Sequence, residues 1–214
     1  MHDVAIIDYN MGNLFSIDCA LKFVGIKSII TQDINKIMQS KCIILPGVGA
    51  FPEAMKRLKE KKLDNAIYDF NLKKKPIVGI CLGMQLLFSK SYENETTKGL
   101  GILEGDVHKF KISNKKQQHN FNVGWRKINL PTKEKTNNFL GNLNQANMYF
   151  IHSYHVKLKD KKIETSFSQF YDQKFTSSIK KDNIQAFQFH PEKSGKKGLE
   201  IYFSLKKDLN SINV

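Results

Sequence analysis

A single stretch, Lys75–Phe88, constrains the fold of this chain more than any other, because it joins two elements through a turn that carries a thiol. Its first half is a short apolar run after a proline, which indicates a buried strand, and Met84–Phe88 is rich in helix-forming residues. Cys81 lies at the junction, with Gly79 and Gly83 two residues away on either side. This spacing is the cysteine form of the nucleophile elbow, a strained strand-to-helix turn in which larger neighbouring side chains would collide. We expect the amides of the helix start to favour a thiolate there, and the competing interpretation is a buried structural cysteine.

The whole chain limits the classes of protein that need to be considered. Its 214 residues suit one domain, residues 1–214, with a sizeable core. No apolar run is long enough to span a membrane and the N-terminus lacks a signal-peptide pattern, so we expect a cytoplasmic protein without membrane contacts. The three cysteines are widely spaced, which argues against a disulfide framework or a zinc cluster, and we expect Cys19 and Cys42 to be core residues.

The net charge of +14 raises the hypothesis of a basic, non-enzymatic module that binds nucleic acid. The lysines are dispersed along the chain, lysine outnumbers arginine, and no recognised nucleic-acid motif accompanies the charge. The sequence therefore predicts no nucleic-acid partner, and the charge is typical of solvated lysine-rich surfaces.

Strands and helices alternate through the first half of the chain, which is typical of a parallel sheet with right-handed connections. The second half is predicted as mostly strands before a closing helix. We therefore predict a single α/β domain, a central, mostly parallel sheet with helices on both faces and an antiparallel extension. The predicted strands are Asp3–Asp8, Lys27–Thr31, Lys41–Leu45, Phe121–Ile128, Tyr149–Val156, Ile163–Phe170, Phe175–Lys180 and Ile184–Phe189, and the predicted helices are Leu14–Val24, Glu53–Phe70 and Lys196–Leu209.

Two further motifs follow predicted strands. The loop Pro46–Pro52 contains two glycines, and such a loop can turn a backbone amide into a neighbouring site as part of an oxyanion hole; the alternative is a plain strand-to-helix turn. His190 and Glu192 flank a proline after the last predicted strand. We expect the proline to hold an extended backbone between them, so that the carboxylate reaches one imidazole nitrogen while the other faces a nucleophile. Together with Cys81 they meet the requirements of a nucleophile, a base and an orienting group.

A metal site is the rival interpretation of the histidines. His152, His155 and His190 do not show metal-ligand spacing with the cysteines, and no pair of carboxylates accompanies them. The sequence therefore predicts no metal and no cofactor.

These motifs resemble those of the class I, triad-type glutamine amidotransferases. The resemblance lies in Gly79-Ile80-Cys81-Leu82-Gly83-Met84-Gln85, in Pro46-Gly47-Val48-Gly49-Ala50-Phe51 and in Gln188-Phe189-His190-Pro191-Glu192-Lys193-Ser194. The segments Asp8-Tyr9-Asn10-Met11-Gly12-Asn13-Leu14, Gly124-Trp125 and Phe150-Ile151-His152-Ser153-Tyr154 are similar to those of the glutaminase subunits of imidazole glycerol phosphate synthase, in histidine biosynthesis. The likeness covers nearly the whole chain, and it implies the flavodoxin-like fold of that class.

The resemblance implies roles for individual residues. Cys81 would attack the carboxamide of L-glutamine and form a glutamyl thioester, His190 would move the proton to ammonia, and Glu192 would hold the imidazole. The oxyanion would meet the amides of Leu82 and Gly49. The glutamine itself would be bound by a further set, which is Gly47, Gln85, Glu93, Ser153 and Tyr154.

The resemblance also implies a partner, a (β/α)8-barrel cyclase that forms a heterodimer with the glutaminase and receives its ammonia through a channel. The cyclase makes imidazole glycerol phosphate and an aminoimidazole carboxamide ribotide. The residues expected on the docking side are Met11, Asn13, Trp125 and Lys193, with a core position as the alternative for the lone tryptophan.

One segment departs from the family pattern at this expected interface. Where family members usually carry Pro-His-Met-Gly-Trp-Asn, this chain has Phe121-Asn122-Val123-Gly124-Trp125-Arg126. An alternative function is therefore that of a paralogous glutaminase that supplies ammonia for sugar amidation in surface polysaccharide synthesis.

Overall fold

The structure of the chain, a computed structural model, describes residues 2–111, 120–131, 140 and 143–211 and is built around a seven-stranded sheet. Five strands run parallel, and they are β1 (Val4–Ile7), β2 (Ser28–Thr31), β3 (Cys42–Leu45), β4 (Ile77–Ile80) and β13 (Ile184–Phe187). Two further strands, β11 (Glu164–Phe170) and β12 (Gln173–Lys181), extend the sheet in antiparallel fashion beside β13. The order of the parallel strands, β2-β1-β3-β4-β13, is that of a flavodoxin-like sheet. The predicted fold class is confirmed.

Helices cover both faces of this sheet because its central strands are apolar on both sides. In β1, Val4 and Ile6 pack against α1 (Leu14–Phe23) and α6 (Gly195–Ser211), whereas Ala5 and Ile7 pack in a second cluster on the opposite face. That second cluster contains residues of α3 (Phe51–Glu60), α4 (Leu63–Leu72) and α5 (Leu82–Leu86). The central strands therefore lie between two buried layers, and their carboxyl ends meet along one edge.

Two smaller sheets lie outside the central one. The first contains β5 (Phe88–Ser91), β6 (Thr97–Lys98), β7 (Leu103–Lys109) and β10 (Tyr154–Leu158), and the second pairs β8 (Asn122–Lys127) with β9 (Asn147–His152). The predicted single strand Tyr149–Val156 is wrong, because it is interrupted at Ser153 and its halves pair in different sheets. Phe88 begins β5 and does not belong to the helix predicted there.

The predicted helix Glu53–Phe70 is also wrong, since it is two helices, α3 and α4. Their buried side chains follow helical spacing until Leu58 and resume at Leu63, and this five-residue interval cannot keep both on one face of a continuous helix. Lys62 takes a left-handed conformation, with φ of 57°, at the break. A short helix, α2 (Ile34–Gln39), was not predicted, although the Asp33 side chain caps it by accepting from two backbone amides.

The end of helix α1 and one of the two predicted core cysteines agree with the prediction, and the other cysteine does not. Helix α1 ends as predicted before Gly25, which has φ of 78°, and Cys42 is buried, but Cys19 is exposed on α1. The sequence also predicts a polar loop at Asn114–Asn120 and an irregular segment at Pro131–Asn147, and most of each lies outside the described residues. Across the described ranges, every helix is too short or too polar to cross a membrane.

Candidate active site

Cys81 occupies a sharp turn between β4 and α5, with φ of 55° and ψ of −111°. The two glycines around it are explained by close backbone contacts. A Cβ at Gly83 would lie 1.8 Å from the carbonyl oxygen of Leu45, and one at Gly79 would lie 3.0 Å from the backbone nitrogen of Met84. Positive φ is uncommon for a residue with a side chain, so the surrounding packing must hold Cys81 in this conformation.

The sheet brings a histidine and a glutamate to the same edge. Strand β13 pairs with β4, and the amide of Cys81 donates a 2.7 Å hydrogen bond to the carbonyl of Phe187. Beyond β13, His190 Nδ1 lies 2.7 Å from Glu192 Oε1, and their side chains are 2% and 0% exposed. Pro191–Lys193 forms a 3₁₀ turn. The extended backbone expected around Pro191 is therefore wrong, but the carboxylate still reaches the imidazole.

The electrostatic surroundings of His190 favour its charged form. Burial opposes the imidazolium, but a Cys81 thiolate and the Glu192 carboxylate together outweigh burial and raise the pKa of His190 to about 10. Within the described part of the chain, Nε2 of His190 has no hydrogen-bond partner. A proton moved from the thiol to this nitrogen would therefore be retained as an imidazolium beside a Cys81 thiolate.

A cavity of about 330 Å³ opens beside the thiol. Its wall contains six of the other residues predicted for this site or its oxyanion hole, together with four that were not predicted. The lining residues are Val48, Gly49, Cys81, Leu82, Gln85, Glu93, Phe121, Ile151, His152, Ser153 and Tyr154. Gly47 is not among them. It lies behind the wall, where an added Cβ would be 2.6 Å from the hydroxyl of Tyr9 and 2.8 Å from Cβ of Leu82.

A polar network runs from the cavity wall to the sulfur. The buried amide of Gln85 donates to the carbonyl of Tyr154 at 2.9 Å and to Oε1 of Gln188 at 3.0 Å. Nε2 of Gln188 lies 3.8 Å from Sγ of Cys81, which is itself 3.7 Å from the carbonyl oxygen of Ile151. Sequence reasoning missed Gln188 and Ile151. The signal for Gln188 was its position two residues before His190, at the end of an apolar strand.

Glu93 contributes a carboxylate to the same wall. Its Oε2 accepts a 2.8 Å hydrogen bond from the amide of Phe51, at the start of α3. Burial raises the pKa of Glu93, while that amide and Lys109 act in the opposite direction. Glu93 therefore both caps α3 and presents a carboxyl group to the cavity.

The loop after β3 is held against the elbow. Tyr9 donates a 2.7 Å hydrogen bond from its hydroxyl to the carbonyl of Pro46, and burial raises the pKa of Tyr9 well above its usual value. Gly49 has φ of 108°, and an added Cβ there would lie 2.8 Å from the terminal methyl of Met11. Met11, one of the predicted docking residues, thus lies against the loop predicted to form the oxyanion hole.

Another predicted docking residue, Trp125, belongs to an apolar surface that includes two residues of the cavity wall, Phe121 and Ile151. We call Phe121, Val123, Trp125, Tyr149 and Ile151 the apolar strand face. Phe121 directly precedes β8, Val123 and Trp125 lie on one side of that strand, and the three are 51%, 43% and 56% exposed. Trp125 packs edge-on against Tyr149, with ring centroids 5.9 Å apart, so the alternative of a core tryptophan is wrong.

Lys193 and Asn13 lie at two further positions. The exposed Lys193 places Nζ 5.9 Å from the centroid of the Tyr149 ring. Asn13 is the partly exposed N-cap residue of α1, and its side chain makes no capping hydrogen bond.

Comparison with known families gives the same result as the site geometry. The sequence model of the family "Glutamine amidotransferase class-I" matches residues 5–206. The chain belongs to this family. The fold is shared with solved structures: the structure of PurLQS from Thermotoga maritima matches with a TM-score of 0.74 and 18% identity over 98% of this chain and 100% of that one.

Relatives with much higher identity share nearly the full length of this glutamine amidotransferase. The imidazole glycerol phosphate synthase subunit HisH of Carboxydothermus hydrogenoformans is 39% identical over 95% of this chain and 98% of its own length. The protein of the same name from Aquifex aeolicus is 42% identical over 94% of this chain and 95% of its own length.

Proposed function

We propose that this glutamine amidotransferase is the glutaminase subunit of an imidazole glycerol phosphate synthase, releasing ammonia from L-glutamine for histidine biosynthesis. Relatives that carry this subunit name are about 40% identical to the chain over most of its length. The structural observation that carries the proposal is the position of Cys81, held in a strained backbone conformation at the end of β4, on the same sheet edge as the buried His190–Glu192 pair that follows β13.

The chemistry begins with Cys81 as nucleophile. Nε2 of His190 takes the thiol proton, and the sulfur attacks the side-chain carbonyl carbon of glutamine, giving a tetrahedral oxyanion. When that intermediate collapses, the C–N bond breaks and His190 returns the proton to the departing ammonia. Water then attacks the glutamyl thioester with His190 again as base, and glutamate leaves as the thiol is restored. Glu192 holds the imidazole in the orientation that these transfers need.

Backbone amides and polar side chains would complete the site. The amides of Leu82 and Gly49, both in the cavity wall, are the proposed oxyanion donors. Gln85, Glu93, Ser153 and Tyr154 would bind the glutamine. Gly47 would act indirectly, because its lack of a side chain lets the loop pack against Leu82.

The apolar strand face is the proposed docking surface for a (β/α)8-barrel cyclase, which would form a heterodimer with this chain in the cytoplasm. Two exposed apolar side chains on one short strand, with a third directly before it in the cavity wall, resemble the aromatic and apolar centre of a protein interface. Met11, Asn13 and Lys193 would lie around this centre, and docking over the cavity mouth would keep ammonia from escaping into solvent.

The test is glutamate release from glutamine by the purified chain, with and without the cyclase of the same organism and its ribotide ligand. We expect the complex to release glutamate, and Cys81→Ala to lose at least about a thousandfold in rate. Cys19→Ala, which removes an exposed thiol from α1, is the matched control and should retain full activity. Turnover that survives Cys81→Ala would reject the mechanism. A chain whose thiol reacts with a glutamine analogue but ignores the cyclase would point to the sugar-amidation alternative.

A further inference from the structure

We propose that Asn122 and Arg126 are positioning residues of the glutaminase: acting through the buried ring of His152, they fix the carbonyl of Tyr154 in the wall of the glutamine cavity. The proposal builds on the function proposed above and assigns a role to the two polar positions at which β8 departs from the family pattern.

Four groups form a continuous line of hydrogen bonds. Nε of Arg126 donates to Oδ1 of Asn122, whose Nδ2 lies 2.9 Å from Nε2 of His152. On the other side of the ring, Nδ1 of His152 lies 2.8 Å from the carbonyl oxygen of Tyr154. Asn122 and His152 are 0% and 5% exposed, and the guanidinium of Arg126 is held over the ring of Phe170 at 4.9 Å. We call this line the β8 relay.

The relay determines where the imidazole proton lies. Arginine can only donate, so the amide oxygen of Asn122 must face Arg126 and its NH₂ group must face His152. Nε2 of His152 is then an acceptor, which leaves the proton on Nδ1, where it is donated to the carbonyl of Tyr154. Burial lowers the pKa of His152 to about 3, so the ring is neutral at physiological pH and this single tautomer satisfies both of its nitrogens.

The inner end of the relay joins the polar network of the cavity. The carbonyl of Tyr154 also accepts from Gln85, which in turn contacts Gln188, and Nε2 of Gln188 lies 3.8 Å from Sγ of Cys81. If His152 took the other tautomer, the Nδ1 lone pair would face the Tyr154 oxygen and repel it. The carbonyl would turn away, and Gln85 would lose one of its two acceptors. The position of the cavity wall therefore depends on the Asn122 amide.

The relay lies behind the proposed docking surface. Along β8 the side chains alternate, so that Val123 and Trp125 face outward while Asn122 and Arg126 face inward. The same strand thus presents apolar groups to a partner on one side and supports the cavity wall on the other.

The first test observes the tautomer directly. Nitrogen NMR of the full chain labelled with ¹⁵N-histidine should show His152 protonated at Nδ1 and unprotonated at Nε2. In Asn122→Leu, which keeps a similar volume but cannot donate, we expect a mixture of tautomers. An Nε2-protonated ring in the unmodified chain, or an unchanged tautomer in Asn122→Leu, would overturn the proposal.

The second test uses the complex with the cyclase. Loss of a buried hydrogen bond to the wall should raise KM for glutamine about tenfold in Asn122→Leu while kcat changes less than about twofold. Alkylation of Cys81 by iodoacetamide should keep its rate, because the relay acts on the wall and not on the thiol. Arg126→Lys, which retains a donor, should recover most of the affinity for glutamine that Arg126→Leu loses.

Ser168→Ala is the matched control. The buried hydroxyl of Ser168, on β11, donates at 2.9 Å to the carbonyl of Lys127, which lies on β8 like Asn122, but this hydrogen bond is outside the relay. An equal rise of KM in Ser168→Ala, or an unchanged KM in Asn122→Leu, would show a merely structural role and reject the proposal. If the unmodified complex releases no glutamate, the proposed function fails instead, and the NMR experiment alone then supports or overturns the relay.

Discussion

A single methyl group at position 83 would bring two backbone segments into collision. The Cβ of an alanine there would lie 1.8 Å from the carbonyl oxygen of Leu45, and its three nearest neighbours are all backbone atoms, so no flexible side chain can move aside to make room. We expect Gly83→Ala to lower the free energy of unfolding by about 3 kcal/mol or more, as for a badly overpacked core site. Thermal unfolding of the purified chain measures this.

The control for that substitution is Gly101→Ala. Gly101, unlike the helical Gly83, has a positive φ of 66°, and an added Cβ there would meet nothing within 4 Å. We expect Gly101→Ala to lower the free energy of unfolding by only about 1 kcal/mol, the cost of holding an alanine in a left-handed backbone conformation. A loss in Gly83→Ala no larger than that in Gly101→Ala would contradict the proposed collision with Leu45, because the helical backbone at position 83 is itself open to alanine.

The charge of Glu192 is expected to control the protonation of His190. Burial alone would depress the pKa of this imidazole, and the pKa is raised to about 10 because Cys81 and Glu192 supply negative charge around it. Glu192→Gln removes one of those charges, so we expect the pKa of His190 to fall and kcat to drop about a hundredfold or more. An NMR titration of the histidine rings measures the first effect. Glu53→Gln, at an exposed carboxylate paired with Arg57, should leave the His190 titration unchanged, and an equal shift there would contradict the assignment.

The sequence predicts some contacts of the candidate site and misses others, depending on how far apart along the chain the contacting residues lie. The elbow is recognisable because its glycines act within a few residues of Cys81, and the His190–Glu192 pair is equally local. Gln188 was missed because its hydrogen-bond partners Gln85 and Cys81 lie 103 and 107 residues away along the chain. Its local signal, a position two residues before His190, does not identify those partners.

At the level of elements, the two breaks that were not predicted also differ in whether their cause lies nearby in the sequence or in distant partners. The break between α3 and α4 is visible in the sequence, because five residues separate Leu58 from Leu63 where a continuous helix needs three or four. The break at Ser153 is not visible locally. Residues on both sides of it favour strands, and only the choice of different partners, β8 for one half and β7 for the other, divides them.

Strand β8 carries a prediction about assembly. Trp125 is 56% exposed at the centre of the apolar strand face, and a tryptophan buried by a partner typically contributes about 2 kcal/mol or more to binding. We therefore expect Trp125→Ala to raise the dissociation constant of the cyclase complex about thirtyfold. Isothermal titration calorimetry measures this, and alkylation of Cys81 in the isolated chain should not change.

The matched control for the assembly prediction is Tyr68→Ala, an aromatic residue on α4 with 50% exposure. It should bind the cyclase as the unmodified chain does. A loss of affinity as large as that of Trp125→Ala would show that exposed aromatic groups in general, and not the apolar strand face, govern the interaction.

At the scale of the whole molecule, two neutral imidazoles are part of an aromatic cluster. The rings of His152 and His155 contact Phe110, and His155 is stacked on it with a centroid distance of 4.7 Å. Both histidines are at least 95% buried, with Nδ1 and Nε2 of each in hydrogen bonds. The fold therefore holds two imidazoles in the neutral form, and acid would protonate them.

Stability should consequently fall when the pH is lowered below neutrality. Burial, with Lys157 and His108 nearby, lowers the pKa of His155 to about 4, against 6.5 for an ordinary histidine. Between these values the unfolded chain binds a proton that the folded chain does not, so the free energy of unfolding decreases as pH falls through this window. We expect the free energy of unfolding of His155→Phe to depend less on pH: between pH 7 and pH 4 it should fall by about 3 kcal/mol less than that of the unmodified chain. Urea unfolding at several pH values measures this pH dependence. Loss of the His155 hydrogen bonds lowers the stability equally at every pH, so it does not affect the comparison. The exposed His2, changed to Gln, is the control, and parallel profiles for His155→Phe and the unmodified chain would show that His155 is not the source of acid sensitivity.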